Sequence, residues 1–154
     1  MQVGAEGHFK LELIRDGNVI ERREGRNTVT TAGKAKLANR AFTSSPAVYQ
    51  YMQLGKGGTA ASSAQTNILT PVGTNTTILR YRQTAQTMAM SGTRTAKWEH
   101  TWTAGEFSAA GVREVGLFNA RTTSIKNMMA RFVFTTVNKT GADTLKIEGG
   151  LLAA

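Results

Sequence analysis

Side chains that could act as acids, bases or metal ligands are few in this chain. Its 154 residues include two histidines, His8 and His100, two aspartates, Asp16 and Asp143, and no cysteine. Neither histidine stands at an H-x-H or H-E-x-x-H spacing, which would place two ligands on one metal ion. We therefore predict no catalytic residue, no metal site and no cofactor, and we do not expect an enzyme.

Two other segments offer weaker signals for chemistry. Glu114 lies within the apolar run 113–118 but has no second carboxylate at a fixed spacing, as a catalytic pair would require. Because a buried charge needs partners, we predict that Glu114 accepts backbone hydrogen bonds or pairs with an arginine. The stretch 54–59 (LGKGGT) lacks the leading glycine of a phosphate-binding loop. In that motif a serine or threonine follows the lysine, whereas here Lys56 is followed by a glycine. We predict a strand end running into a loop.

The aromatic residues of segment 96–102 form the third candidate. Trp98, His100 and Trp102 alternate with polar residues, so a strand places all three on one face. One interpretation is a histidine packed between two tryptophans in the core. The alternative is an exposed ring-stacking site for a ligand or partner.

The charge balance is strongly basic. Nineteen Lys and Arg against ten Asp and Glu give +9 and a pI of about 10.4, which favours an acidic partner. Arg22, Arg23 and Arg26 form one cluster, Lys34, Lys36 and Arg40 form a second, and the other basic residues are scattered. Nucleic-acid binding is disfavoured because there is no polybasic block. A membrane partner is not expected, since no run reaches the roughly 20 apolar residues of a span.

Alternating patterns and turn residues predict the elements. Asp16-Gly17 predicts a type I′ hairpin, which needs positive φ at both turn positions. Thr31 is the expected cap of one short helix near residues 32–42. The predicted strands, about eight in number, cover 8–15, 18–24, 50–55, 78–90, 94–103, 112–119, 128–136 and 144–151.

This pattern predicts an all-β fold, a jelly-roll-like β-sandwich formed by a single domain over residues 1–154. A flexible N-terminal arm is expected over 1–7. A long loop rich in small residues is expected over 56–77, and loops of that length are usually functional.

Four sequence boxes then carry a family resemblance. Residues 27–33 read NTVTTAG, 51–57 read YMQLGKG, 114–120 read EVGLFNA and 129–134 read MARFVF. In this order the boxes resemble small β-sandwich virion structural proteins of tailed bacteriophages, over roughly residues 27–151. The resemblance implies a structural subunit of a phage particle, and it does not separate head from tail.

The basic charge directs the choice between these locations, because an acidic capsid shell would attract a basic subunit. We therefore expect a capsid decoration (cement) protein in the virion, assembled in the host cytoplasm. It would bind the major capsid protein or another virion protein, and would itself be a dimer or trimer. The alternative is a tail, baseplate or fibre component with an adaptor or receptor-binding role. The expected partner contacts are the arm 1–7, the loop, the apolar tail 149–154 and six individual residues: Arg22, Arg23, Arg26, Lys56, Trp98 and Trp102.

Overall fold

The computed structural model describes residues 5–39, 49, 51–72, 81–82, 89–91, 95–119 and 128–153. These residues form nine strands and one helix, so the all-β class with one short helix is confirmed. The elements are β1 (Ala5–Arg15), β2 (Asn18–Val29), α1 (Thr31–Asn39), β3 (Tyr51–Gly55), β4 (Tyr81–Arg82), β5 (Ala89–Ser91), β6 (Thr95–Trp102), β7 (Ala109–Phe118), β8 (Met128–Lys139) and β9 (Thr144–Ala153).

All nine strands belong to one antiparallel sheet. Their order is β4-β3-β7-β8-β2-β1-β9-β6-β5, with the shortest strands at the two edges. Strand β2 pairs with β1 along most of its length and with β8 only at Thr28 and Val29. This change of partner lets the sheet bend, and its seven longer strands curl into a nearly closed barrel.

One hydrophobic core fills the inside of the curled sheet. Alternate residues of each strand point inward, as the period of two predicts. Phe9 of β1 stacks on Phe132 of β8 with ring centroids 5.2 Å apart, so strands from the two halves meet across the core. Each large apolar side chain buried in this way contributes roughly 1.5–3 kcal/mol.

The Asp16-Gly17 hairpin is confirmed. Both residues have positive φ, 51° and 78°, and the flanking Arg15 and Asn18 pair with each other. Glycine adopts this conformation without the steric cost that a Cβ imposes. The turn sets the pairing of Ile14 with Val19, and an irregularity between Leu13 and Ile14 then shifts the register of the rest of β1 and β2.

Helix α1 begins one residue earlier than predicted and has a different cap. The side chain of Thr30 accepts a 3.0 Å hydrogen bond from the N–H of Gly33, so Thr30 is the capping residue and the expectation for Thr31 is wrong. The reason is tertiary: Thr30 ends β2, and its hydroxyl also donates to the carbonyl of Met128. A Cβ on Gly33 would lie 2.5 Å from the Met129 carbonyl oxygen, so only glycine lets the helix approach β8 this closely.

The remaining boundaries differ at the ends of the elements. Strand β1 begins at Ala5, so residues 5–7 of the predicted arm pair with β9, whereas residues 1–4 lie outside the described part. Strand β9 continues to Ala153 and includes most of the predicted tail. Of the predicted strand 78–90, only β4 and part of β5 are described. Residues 40–42 of the predicted helix also lie outside the described residues.

Candidate functional site

The segment 56–72 folds back over the outer face of β3 and β7, and we call it the clamped loop. The two ends of the loop are bonded to each other, Lys56 N to Thr70 O at 2.7 Å, and its last residue is bonded to β3, Val72 N to Leu54 O at 2.9 Å. Ile68 packs with Phe118 and Met128 in a small second core on this outer face. The described part of the predicted loop 56–77 therefore packs on its own sheet, and residues 73–77 lie outside the described residues.

Glu114 of β7 holds the middle of the clamped loop. Its carboxylate has no exposed surface and accepts three backbone N–H groups: Gly57 at 2.8 Å, Thr70 at 3.0 Å and Leu69 at 3.1 Å. The N–H of Leu69 also lies 3.2 Å from the second carboxylate oxygen. The predicted structural role of Glu114 is confirmed.

Arg131 of β8 is the counterion of Glu114. Its Nε lies 2.7 Å from the Glu114 carboxylate, and both side chains are 0% exposed. The remaining guanidinium hydrogens reach the same loop: Nη1 donates to Thr59 O at 2.8 Å and to Gln65 Oε1 at 3.1 Å. A buried ion pair is tolerated only when such additional hydrogen bonds replace the lost water.

Close packing around the pair requires glycine. A Cβ on Gly57 would lie 2.6 Å from Glu114 Oε1, well inside van der Waals contact. At position 57 the loop backbone can therefore approach the carboxylate this closely only because the residue is glycine. We call the assembly of Glu114, Arg131 and the loop backbone groups that they bind the clamp.

Three of the four sequence boxes meet at this clamp, and the first box is bonded to the strand and the loop beside it. Glu114 comes from the third box, Arg131 from the fourth and Gly57 from the second. The first box joins through Thr30, whose N–H bonds the Met129 carbonyl at 2.8 Å, and through Thr31, whose N–H bonds Ser63 O of the loop at 2.8 Å. The Glu114–Arg131 partnership was missed from sequence. The available signal was that each is the charged residue of an otherwise apolar box.

The three arginines predicted as one contact cluster lie on two faces of β2. Arg22 is exposed and pairs with Glu12 at 2.9 Å, and Arg26 approaches Glu6 at 3.9 Å. Arg23 lies opposite the core residue Leu11, pairs with Glu21 at 2.7 Å and reaches the Thr136 carbonyl. The structure thus separates Arg23 from the other two.

Lys56 and the two tryptophans lie in contrasting environments. Lys56 is exposed at the start of the clamped loop. Trp98 and Trp102 are 5% and 0% exposed, so neither offers a free ring face to solvent. Trp98 makes an edge contact with Phe9 at 5.9 Å, and His100 meets Trp102 edge-on at 4.4 Å. Burial lowers the pKa of His100.

A groove of about 630 Å³ crosses the outer face of β2, β1, β9 and β6. The ion pairs of this face lie beside it, including Lys146 with both Glu99 and Glu148 at 3.1 and 2.9 Å. The mixture of signs gives the groove no preference for an anion or a cation. Its walls carry Lys10, Arg26 and Lys97 together with Glu24, Glu99 and Glu148.

A second buried polar cluster joins the start of β9 to the hairpin. Asp143 accepts two hydrogen bonds from Arg15, at 2.7 and 3.1 Å, and one from the Thr140 N–H at 2.8 Å. These bonds, the arginine bond first, hold the pKa of Asp143 far below its usual value. Lys139 lies beside them over the Phe107 ring, and burial lowers its pKa.

Comparisons with known proteins leave the function to be argued from the molecule itself. No family model, curated protein or solved structure matches the chain. Within the described residues, no group of three or more His, Cys, Asp or Glu side chains is placed to bind a metal ion. No helix of that same part is long and apolar enough to cross a membrane.

Proposed function

We propose that this chain is a structural subunit of a tailed-bacteriophage virion, most specifically a capsid decoration protein that binds the assembled head. The observation that carries the proposal is the meeting of three of the four resemblance boxes at the clamp, with the first box bonded beside it to Met129 of β8 and Ser63 of the clamped loop. Residues that the resemblance singles out thus serve one structural purpose, which is to fix a long loop rigidly on the sheet. A subunit that adds to a particle gains affinity from such a preformed surface, because less conformational entropy is lost on binding.

The proposed mechanism is mass action. A protein that binds only the assembled, expanded shell stabilises that shell by the free energy of binding, and many copies add their contributions. We propose further that the fold is a jelly-roll-like β-sandwich and that the protein is a dimer or trimer. A basic subunit also associates faster with an acidic shell, because electrostatic steering raises the association rate.

Particles produced by the strain that carries the gene provide the test. Quantitative mass spectrometry gives the copy number of the chain, and cryo-electron microscopy gives its position. Hundreds of copies spread over the head are expected for a decoration protein. A few copies at the tail would replace this proposal with the tail, baseplate or fibre alternative. Absence from purified particles would reject a virion role.

A further inference from the structure

The net positive charge of the chain comes from one segment. Residues 25–98 contain nine Lys and Arg and no Asp or Glu, whereas the rest of the chain contains ten of each. The whole net charge of +9 therefore comes from this acid-free segment. Its described parts include α1, β3 and the clamped loop.

The fold separates the acids in space as well. Nine of the ten acidic residues lie on β1, β2, β6 and β9 or on the connections next to these strands. The tenth, Glu114, is buried and paired with Arg131. The surface around the clamped loop consequently carries basic residues with no exposed carboxylate among them.

Three exposed cations surround the clamped loop. Lys56 begins the loop. Arg113 is exposed on β7, and its guanidinium carbon would lie 2.6 Å from a Cβ on Gly58, so it lies directly against the loop. Lys34 is exposed in the first turn of α1, next to Thr31, which is bonded to Ser63 of the loop. We call Lys34, Lys56, Arg113 and the loop surface among them the basic face.

An exposed apolar side chain belongs to the basic face. Leu69 is 47% exposed, and its N–H is held by both oxygens of Glu114. The clamp therefore fixes the position of a leucine that the protein presents to solvent. An apolar residue ringed by charged side chains matches the general anatomy of a protein–protein interface, which has an apolar centre and a polar rim.

We propose that the basic face is the surface by which this chain docks onto an acidic protein surface that offers an apolar pocket for Leu69. This inference rests on the proposed function and names the face that would meet the other virion protein. The exposed leucine favours a protein over a nucleic acid, because a phosphate backbone offers Leu69 no pocket. Lys34, Lys56 and Arg113 then supply the charge complementarity.

The first experiment does not depend on the virion role. Fluorescence anisotropy measures the binding of poly-L-glutamate and of duplex DNA to the wild-type chain at several salt concentrations. The double variant K56E/R113E should lose poly-L-glutamate binding by about tenfold or more, since like charges then face the probe. The control K97E/K10E changes the charge equally on the other half of the sheet and should bind as the wild type does. Equal losses in both variants would show a diffuse charge effect and overturn the proposal.

The second experiment uses particles from a strain in which the gene is disrupted. Cosedimentation of the added chain with these particles measures its affinity. L69S should weaken binding to particles about tenfold and leave poly-L-glutamate binding unchanged, and thermal melting verifies that each variant folds.

If the wild type binds particles and both L69S and K56E/R113E bind equally well, the basic face is excluded while the virion role stands. If the wild type binds no particles, the virion role fails and the poly-L-glutamate result alone decides the face. Tighter binding of duplex DNA through Lys56 and Arg113 would overturn the choice of a protein partner.

Discussion

At the scale of single residues, the Glu114–Arg131 pair links β7, β8 and the clamped loop. Neither side chain is accessible to water, so water cannot solvate the remaining charge when its partner is removed. This distinguishes the pair from the partly exposed ion pairs of β1 and β2, which water and salt screen. Removing one partner should therefore lower the free energy of unfolding much more at the Glu114–Arg131 pair than at the ion pairs of β1 and β2.

Glu114→Gln should lower the free energy of unfolding by about 3–5 kcal/mol, because it leaves the Arg131 guanidinium buried without a counterion. Urea denaturation monitored by tryptophan fluorescence measures this change. Glu21→Gln, which breaks a partly exposed pair with Arg23, is the control and should cost less than about 1 kcal/mol. Similar losses in the two variants would contradict the burial of the pair.

Thr30→Ala should destabilise the protein by about 1–2 kcal/mol, because it removes the helix cap and a buried hydroxyl bond to Met128. Thr31→Ala is the matched control. Thr31 is exposed and its backbone N–H, which bonds Ser63, remains in the variant. The denaturation midpoints of the two variants decide which threonine caps the helix, and a larger effect at Thr31 would restore the expectation from sequence.

At the scale of elements, the clamped loop is ordered by its contacts with β3 and β7 and contains no helix or strand pairing beyond the Gly55–Pro71 bridge. Backbone N–H groups of the loop find their acceptors on Glu114 and on β3. The backbone N–H groups of the loop should therefore be as protected from hydrogen exchange as those of the sheet beneath it. This protection should last only while the loop stays hydrogen-bonded to the Glu114 carboxylate.

Gly57→Ala should release the clamped loop, because its Cβ would lie 2.6 Å from Glu114 Oε1. Hydrogen exchange at Leu69 and Thr70 should become at least about tenfold faster as these bonds open. In Gly58→Ala the new Cβ meets only the end of the Arg113 side chain, which can move away. Exchange at Leu69 should stay near the wild-type rate in this control, and equal acceleration in both variants would argue against the steric explanation.

At the scale of the whole molecule, the Arg15–Asp143 bonds join the first hairpin to the start of the last strand. The pKa of Asp143 is lowered in the folded protein, so the folded state binds this proton more weakly than the unfolded chain does. A carboxyl group of this kind contributes stability above its unfolded pKa of 3.8 and loses it as the pH falls toward the folded value.

The free energy of unfolding should therefore decline between about pH 5 and pH 2 in the wild type. Asp143→Asn should be less stable at pH 7 and should show a flatter decline, because it cannot take up the proton. Urea denaturation at a series of pH values measures both effects. Glu24→Gln, a substitution at an exposed position of β2, serves as the control. An unchanged slope in Asp143→Asn would place the acid sensitivity elsewhere.

Local sequence determined the parts of this protein that depend on neighbouring residues. Period-two alternation determined where most strands run, because side-chain direction alternates along any strand. Asp16-Gly17 determined the first hairpin, because few residues accept positive φ. The isolated charge of Glu114 also indicated that it must find a partner, since an unpaired buried carboxylate is too costly.

Only the tertiary structure decided which distant groups meet. It chose Arg131 as the partner of Glu114, Thr30 as the helix cap and the loop's own sheet as its support. It also turned Trp98 and Trp102 into the core. The alternating pattern assigns residues to two faces of a strand, but it does not say which face curls inward. That choice depends on how the whole sheet bends and which strands become neighbours, and both follow from contacts between residues far apart in the chain.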